Sequence, residues 1–336
     1  PFRNRDIINS RKLIGSLGLT FLLICSLGMM GTISTILIKD QKFPPNVKWM
    51  HIGKKLSSEG EICIKEPLTK YPNIKQCFFG DLSANKTIGL FGDSHAQAIS
   101  KSLNEEFKRR KIRGSYIEYN ETCEVIYGSF AVPVGGYNKE LCRKSFLNLK
   151  NFSKNKLDAI ILLTRWTYRM YPVKNLIDYP TVDNGVGGVE PTINTQGFAV
   201  YDISNNQSFD KKDKKRVLEK NIEELSKVVK LILIYPIPET GWNIFLENSN
   251  FYMRYKKVLK DLIFPSIKYD ERNKFVINIF DEISLKNNNV VPIKTRRLFC
   301  DSFIKNNCVA QYAGVPFYLD DDHLSNAGAR LVINEI

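Results

Sequence analysis

Histidine is scarce in this chain: His51, His95 and His323 are the whole set in 336 residues. With no Cys-x-x-Cys pair among the seven cysteines, that scarcity speaks against a metal site of the zinc type. No zinc finger, RNP motif or arginine-rich arm is present, and no segment repeats. No Walker-type or dinucleotide-binding loop occurs. Gly185-Val186-Gly187-Gly188 is not framed as strand, turn and helix, so it reads as a loop rather than a phosphate cradle. Acidic residues are the minority, 35 Asp+Glu against 49 Lys+Arg, for a net charge of +14. The lysines are scattered, and the densest run, 211–230, is patterned as a solvated helix face, so no nucleic-acid partner is expected. Such charge suits an anionic surface, either lipid headgroups or acidic glycans. The composition, 43% apolar and 25% charged, excludes a disordered chain, a collagen-like repeat, a coiled-coil rod and a multi-span transporter.

What is present begins with a long apolar run. Residues 13–38 carry no charged side chain. At ~1.5 Å per residue they extend to roughly 39 Å as a helix, long enough to span a bilayer with some tilt. Arg3, Arg5, Arg11 and Lys12 precede the run against Asp6, whereas Lys39, Asp40 and Lys42 nearly cancel after it. The positive-inside rule then places residues 1–12 in the cytoplasm and everything after Lys39 outside. A cleaved signal peptide is the alternative, but its apolar core is shorter, ~7–15 residues, and ends in small residues. The chain starts at Pro1, so the expectation is the carboxy-terminal piece of a longer protein.

Cys25 lies inside the apolar run. The other cysteines fall into close pairs, Cys63 with Cys77, Cys123 with Cys142 and Cys300 with Cys308. Proximity alone supports that pairing, and the connectivity stays open. Disulfides would require an oxidising compartment such as a bacterial periplasm.

Residues 39–85, with Pro44, Pro45, Pro67 and Pro72, show little periodicity and read as a linker or extension. From Lys86 onward strands and helices alternate. Residues 87–91, 115–119, 158–163, 231–235 and 275–280 read as strands. Residues 95–111, 251–267 and 324–336 read as helices, the last with Ser325 as N-cap. Leu218, Ile222, Leu225 and Val229 mark a further amphipathic helix. This alternation predicts an α/β fold, a parallel sheet with helices on both faces, whose sites gather at the carboxyl ends of strands.

The first strand ends in Phe91-Gly92-Asp93-Ser94-His95-Ala96. Ser94 would stand at the carboxyl end of a strand and the start of a helix, where free N–H groups favour a developing oxyanion. A serine hydroxyl needs a base within hydrogen-bond reach. His51 precedes the globular region, and His95 sits beside Ser94 on the helix, poorly placed to face its Oγ. His323, in Asp320-Asp321-Asp322-His323, is the candidate base. Asp320, three residues earlier, can curl back to the imidazole Nδ1 and leave Nε2 for Ser94.

Gly92-Asp93-Ser94-His95 with Asp320-x-x-His323 resembles the SGNH (GDSL-like) hydrolase superfamily, a three-layer α/β fold. More narrowly, the chain resembles the SGNH domain fused to membrane acyltransferase-3 proteins. The strings that carry this are Leu90-Phe-Gly-Asp-Ser-His-Ala96, Leu162-Leu-Thr-Arg-Trp166, Tyr235-Pro-Ile-Pro-Glu239 and Asp322-His-Leu-Ser-Asn-Ala-Gly328, over residues 86–336. Pro1-Phe2-Arg3 is similar to the end of that family's last core membrane helix.

The resemblance implies catalytic Ser94, Asp320 and His323. It implies O-acylation, usually O-acetylation, of envelope polysaccharide such as lipopolysaccharide O-antigen, on the periplasmic side of a bacterial inner membrane. The membrane acyltransferase domain, joined in cis upstream, would use acetyl-CoA as the ultimate donor, and this part would bind no cofactor. The superfamily's Gly-x-Asn-Asp block is replaced here by Thr164-Arg165-Trp166. The oxyanion or glycan contacts are therefore sought at Gly92, Asp93, Arg165 and Trp166, with Gly135 and Gly136 as further possible donors. An esterase that removes acyl groups, and a non-catalytic glycan-binding module, are the alternative readings.

Overall fold

The computed structural model describes residues 66–68, 71–119, 123–124, 126, 129–132, 139–170, 182–190, 197–201, 207–208 and 210–336, with residues 20, 21 and 26 alone in the first fifty. The chain divides into two units, Pro1–His51 and Ile52–Ile336. All elements below belong to the second. The apolar run at 13–38 lies outside the described residues apart from Thr20, Phe21 and Ser26. Among the described residues no helix is long and apolar enough to cross a membrane.

The principal sheet consists of β1 (Glu66–Leu68), β2 (Tyr71–Gly80), β3 (Thr87–Gly92), β4 (Arg113–Tyr119), β5 (Ala159–Leu163), β6 (Lys230–Ile234) and β7 (Val290–Ile293). Their spatial order is β1-β2-β4-β3-β5-β6-β7. From β4 to β7 every neighbouring pair is parallel, whereas β1 and β2 run antiparallel at one edge. The sheet is therefore mixed rather than wholly parallel. Its extra edge comes from residues 66–80, within the stretch that reads as a linker from sequence. Phe79 and Cys77 on β2 are buried against this edge.

The helices are α1 (Ser94–Arg110), α2 (Lys139–Lys156), α3 (Trp166–Met170), α4 (Lys211–Ser226), α5 (Ile244–Tyr255), α6 (Ser266–Lys286), α7 (Arg296–Phe299) and α8 (Asn326–Ile333). Side chains alternate across the pleat, so one strand feeds two cores. Ile88 and Leu90 of β3 pack with Ile99, Leu103 and Phe107 of α1 and Val332 of α8. Phe91, from the same strand, packs on the opposite face, where Leu149, Leu218, Leu225, Val276 and Phe280 lie. Every residue of β5 is buried, as befits a central strand covered on both faces.

Two sequence expectations are corrected. Residues 275–280 look like a strand by composition, but they lie inside α6. Tyr269, Asn273, Val276, Ile279, Phe280 and Ile283 are its buried positions, so the helical period over a long window outweighs the β-branched and aromatic content of a short one. The fifth parallel strand is instead Val290-Val-Pro-Ile293. Its internal proline is tolerated because β7 is an edge. The helix expected at 251–267 starts earlier and stops at Lys256, which adopts the left-handed conformation (φ 52°). Leu262–Pro265 then forms a strand antiparallel to Asn307–Tyr312.

Cys300 and Cys308 form a disulfide that ties the end of α7 to the strand Asn307–Tyr312. Cys77 is also disulfide-bonded. The pairings that involve Cys63, Cys123 and Cys142 lie outside the described side chains.

Candidate active site

Ser94 is the first residue of α1, directly after β3. Asp93 caps this helix: its Oδ1 accepts from the His95 N–H at 3.0 Å. Its Oδ2 accepts from the Arg165 N–H at 3.0 Å, which ties the end of β3 to the loop after β5. Asp93 thus links the start of α1 to the loop after β5. Gly92 has an equally local role, because a Cβ there would fall 1.7 Å from the Leu163 carbonyl oxygen. Only glycine lets β3 and β5 approach so closely as the chain turns into the helix.

His323 comes from the other end of the chain, in the loop before α8. Ser325 caps that helix, its Oγ accepting from the Ala327 and Gly328 N–H groups. The Ser325 N–H donates to the Phe317 carbonyl, which pins the loop to the body of the fold. The His323 Nε2 lies 2.7 Å from the Ser94 Oγ, and Ser94 is exposed. Behind the ring, Nδ1 meets Asp320 Oδ2 at 2.8 Å. Asp320 Oδ1 accepts from the backbone N–H of His323 at 2.8 Å and of Asp322 at 3.1 Å, fixing the carboxylate by a tight local turn. Because a carboxylate only accepts, the Nδ1 proton points at it, and a neutral ring leaves Nε2 free to receive from Ser94.

Asp322 and His95 also belong to this site, although the sequence analysis gave them no role. Asp322 Oδ1 lies 2.7 Å from His323 Nδ1. Its Oδ2 lies 3.2 Å from His95 Nε2 and 3.0 Å from Arg165 Nε. His95 is buried, as expected of a side chain on the inner face of α1, and its ring centroid lies 5.0 Å from that of His323. The last acid of the Asp320–Asp322 run, directly before His323, is the sequence signal for this arrangement. Which acid turns inward depends on the loop path.

Arg165 and Trp166 are placed differently from expectation. The Arg165 guanidinium is engaged by Glu190, Glu239 and Asp322, and Glu239 is shared with Arg272. With all these carboxylates on it, the group is not poised for an oxyanion or an acidic sugar. Trp166 is 1% exposed, and its Nε1 donates to the Ile234 carbonyl at 2.8 Å, so it is a core residue. Gly135 and Gly136 lie outside the described residues. The Ser94 N–H, in the first turn of α1, remains the oxyanion donor that the geometry offers.

The electrostatics follow from this packing. Burial opposes a charged His323 ring, but the hydrogen bonds and charges of Asp320 and Asp322 outweigh it and push the ring up to about 10. Burial likewise opposes an ionised Asp322, yet His323, His95 and Arg165 hold it well below the usual carboxylate range. Asp321, desolvated and facing Asp322, Glu190 and Asp320, is pushed up to about 7. His95, Asp322 and His323 bring ligand-type atoms within 4.8 Å of one another, as do Asp320, Asp321 and Asp322. The Arg165 guanidinium already fills the cationic position beside Asp322.

Residues 62–336 match the family described as the SGNH domain fused to AT3 domains. The chain belongs to that family. Its fold is similar to the structure of a Salmonella ser. Paratyphi A lipopolysaccharide acetyltransferase periplasmic domain, with a TM-score of 0.50 and 17% identity over 88% of this chain and 96% of that one. A comparison with curated protein sequences gave no match. Here a serine after the first parallel strand and a histidine before the last helix meet where α8 packs beside α1. Ser94 follows β3, the strand on which β4 and β5 pack from either side, and His323 lies in the loop before α8.

Proposed function

We propose that this SGNH domain is an O-acyltransferase, in the first instance an O-acetyltransferase, acting on envelope polysaccharide such as O-antigen through an acyl-serine at Ser94. The observation that carries the reading is the 2.7 Å contact between the Ser94 Oγ and the His323 Nε2, with Asp320 behind the ring. In the first half-reaction Oγ attacks the acyl carbonyl carbon while His323 Nε2 takes the hydroxyl proton. The tetrahedral species collapses, and the leaving group departs with that proton. In the second, a sugar hydroxyl attacks the acyl-serine, its proton passes to Nε2, and Ser94 leaves and recovers it. The Ser94 N–H at the head of α1 stabilises the oxyanion of both steps.

The donor side rests on the family. Its SGNH domains are fused to AT3 domains, and an upstream membrane domain using acetyl-CoA would deliver the acyl group. A periplasmic location on a bacterial inner membrane is supported by the charge asymmetry about residues 13–38 and by the disulfides at Cys77 and Cys300–Cys308. The acceptor is better neutral than acidic, because Arg165 is already neutralised by Glu190, Glu239 and Asp322.

One observation favours esterase action: Ser94 is open to solvent, so water can reach an acyl-serine. Intact protein in membranes, supplied with an acetyl donor and with either unacetylated or acetylated glycan, separates the readings. Acetyl transferred to unacetylated glycan is expected. Free acetate released from acetylated glycan, with no transfer, would establish the esterase instead. Envelope acylation undiminished in Ser94→Ala would leave a glycan-binding module.

A further inference from the structure

Two carboxylates lie close to one imidazole nitrogen in this site: the His323 Nδ1 hydrogen bond goes to Asp320, and Asp322 stands at ion-pair distance from the same atom. Asp320 approaches His323 Nδ1 at 2.8 Å from a position 37% exposed. Asp322 approaches the same nitrogen at 2.7 Å, and its side chain is only 5% exposed. Water competes for the first carboxylate and hardly reaches the second. A buried carboxylate survives only when its oxygens are matched. Those of Asp322 are matched by His323 on one side and by His95 and Arg165 on the other.

We propose that Asp322 is a positioning residue for acyl transfer: a second carboxylate on His323 Nδ1, clamped by His95 from α1 and Arg165 from the loop after β5, that keeps the ring aimed at Ser94. The inference rests on the Ser94–His323 reading of the site. It assigns a role to three side chains, Asp322, His95 and Arg165, that hold no reacting atom themselves.

The groups that set the charge of His323 come from every element around it. Ser94 and His95 face it from α1, and Asp320 and Asp322 from its own loop. Asp321 lies beside them. Arg165 reaches Asp322 while it holds Glu190 of the hairpin Val182–Glu190 and Glu239 of the loop after β6, and Glu239 in turn holds Arg272 of α6. The loop carrying Asp321 is tied to the same frame. The Thr240 N–H and Oγ1 donate to the Asp321 carbonyl, and the buried Asn184 amide of the hairpin donates to the Thr240 carbonyl. The hairpin, the loop after β6 and α1 therefore converge on the position of one carboxylate.

The test uses intact protein in membranes and a fluorophosphonate probe. Its phosphorus forms a bond to the Ser94 Oγ as fluoride leaves, and the hydroxyl proton passes to His323. The rate of labelling is measured against pH for the parent, Asp320→Asn, Asp322→Asn and the double variant, with Ser94→Ala as the blank. Asp320→Asn is expected to lower labelling but to leave it well above the Ser94→Ala blank, because Asp322 still faces the ring. Asp322→Asn is expected to lose about tenfold or more and to move the alkaline limb to lower pH, since an anion beside the imidazolium is gone. The double variant is expected to fall to the blank, a loss larger than the two single losses combined.

Labelling and a pH limb unchanged by Asp322→Asn, with the whole loss on Asp320→Asn, would overturn the proposal. Should Asp322→Asn fail to fold, His95→Gln removes one anchor and keeps the carboxylate. Its limb is expected to move, and an unmoved limb would be equally fatal. Envelope acylation that persists in Ser94→Ala while labelling still depends on Asp322 would sink the transfer reading and leave the positioning role standing.

Discussion

Ser94 and His323 stand 229 residues apart in the chain, yet a 2.7 Å contact joins their side chains. The consequence for activity is direct. Ser94→Ala and His323→Ala are expected to reduce acyl transfer by about 10³-fold or more, because nucleophile and base act as a unit. Glycan binding and the thermal transition should persist, as neither side chain supports the core. Transfer assays beside a binding measurement check this, and near-parental transfer in either variant would refute the assignment.

The rate should climb with pH on the alkaline side of neutrality. Only a neutral His323 can take the Ser94 proton, and its partners push the ring up to about 10. Below that value the neutral fraction grows about tenfold per pH unit. The stability effect has the opposite sense. A base whose folded value is raised stabilises fully below its ordinary value of 6.5 and loses that contribution as pH rises through about 10. A transfer rate flat between neutral pH and the alkaline side would contradict this account of the ring.

Glu239 should be costly to remove. Its carboxylate is 5% exposed and bridges Arg165 and Arg272. Burial works against its charge, but the two guanidinium groups hold it below the usual carboxylate range. Glu239→Ala would leave two cations facing each other in a desolvated pocket. A loss of about 3–5 kcal/mol is expected, measurable by denaturant unfolding. A loss below about 1 kcal/mol would mean that the bridge contributes little.

Trp166 should report on stability rather than on substrate affinity. It is 1% exposed, packs edge-on against Phe280 at 4.8 Å, and donates to the Ile234 carbonyl. Trp166→Ala is expected to cost about 3–5 kcal/mol through the cavity left behind. Trp166→Phe should cost less and leave KM for the acceptor unchanged. A raised KM in a Phe variant of parental stability would restore the substrate role expected from sequence.

Loss of the Cys300–Cys308 disulfide should lower stability. The bridge spans 8 residues and fastens α7 to the strand Asn307–Tyr312. The chain-entropy argument gives about 2–3 kcal/mol for so short a loop, so Cys300→Ala with Cys308→Ala should lower the thermal midpoint without altering the Ser94 contact. An unchanged midpoint would show that the bridge constrains neither state.

The sequence by itself determined the strands with strong local signals. Residues 88–91, 159–163 and 231–235 are almost wholly apolar, as a strand covered on both faces requires. The Ser325 N-cap of α8 was legible in the same way, whereas the Asp93 cap of α1 emerged only with the fold. Local pattern misled at 275–280, where composition favours a strand and the longer helical period prevails. It misled again at 66–80, which reads as part of a linker, because the partner of Ile74–Gly80, Arg113–Tyr119, lies farther along the chain.

Only the tertiary structure decided which acids face His323. Asp320, Asp321 and Asp322 are chemically alike, and their inward or outward orientation depends on Arg165 and His95, brought in from other strands and helices. The same convergence pairs Arg165 with carboxylates, because Glu190 and Glu239 reach it from distant loops. Local sequence fixes backbone conformation through short-range sterics and hydrogen bonds. The charge state and aim of a buried side chain depend on neighbours that only the folded chain assembles.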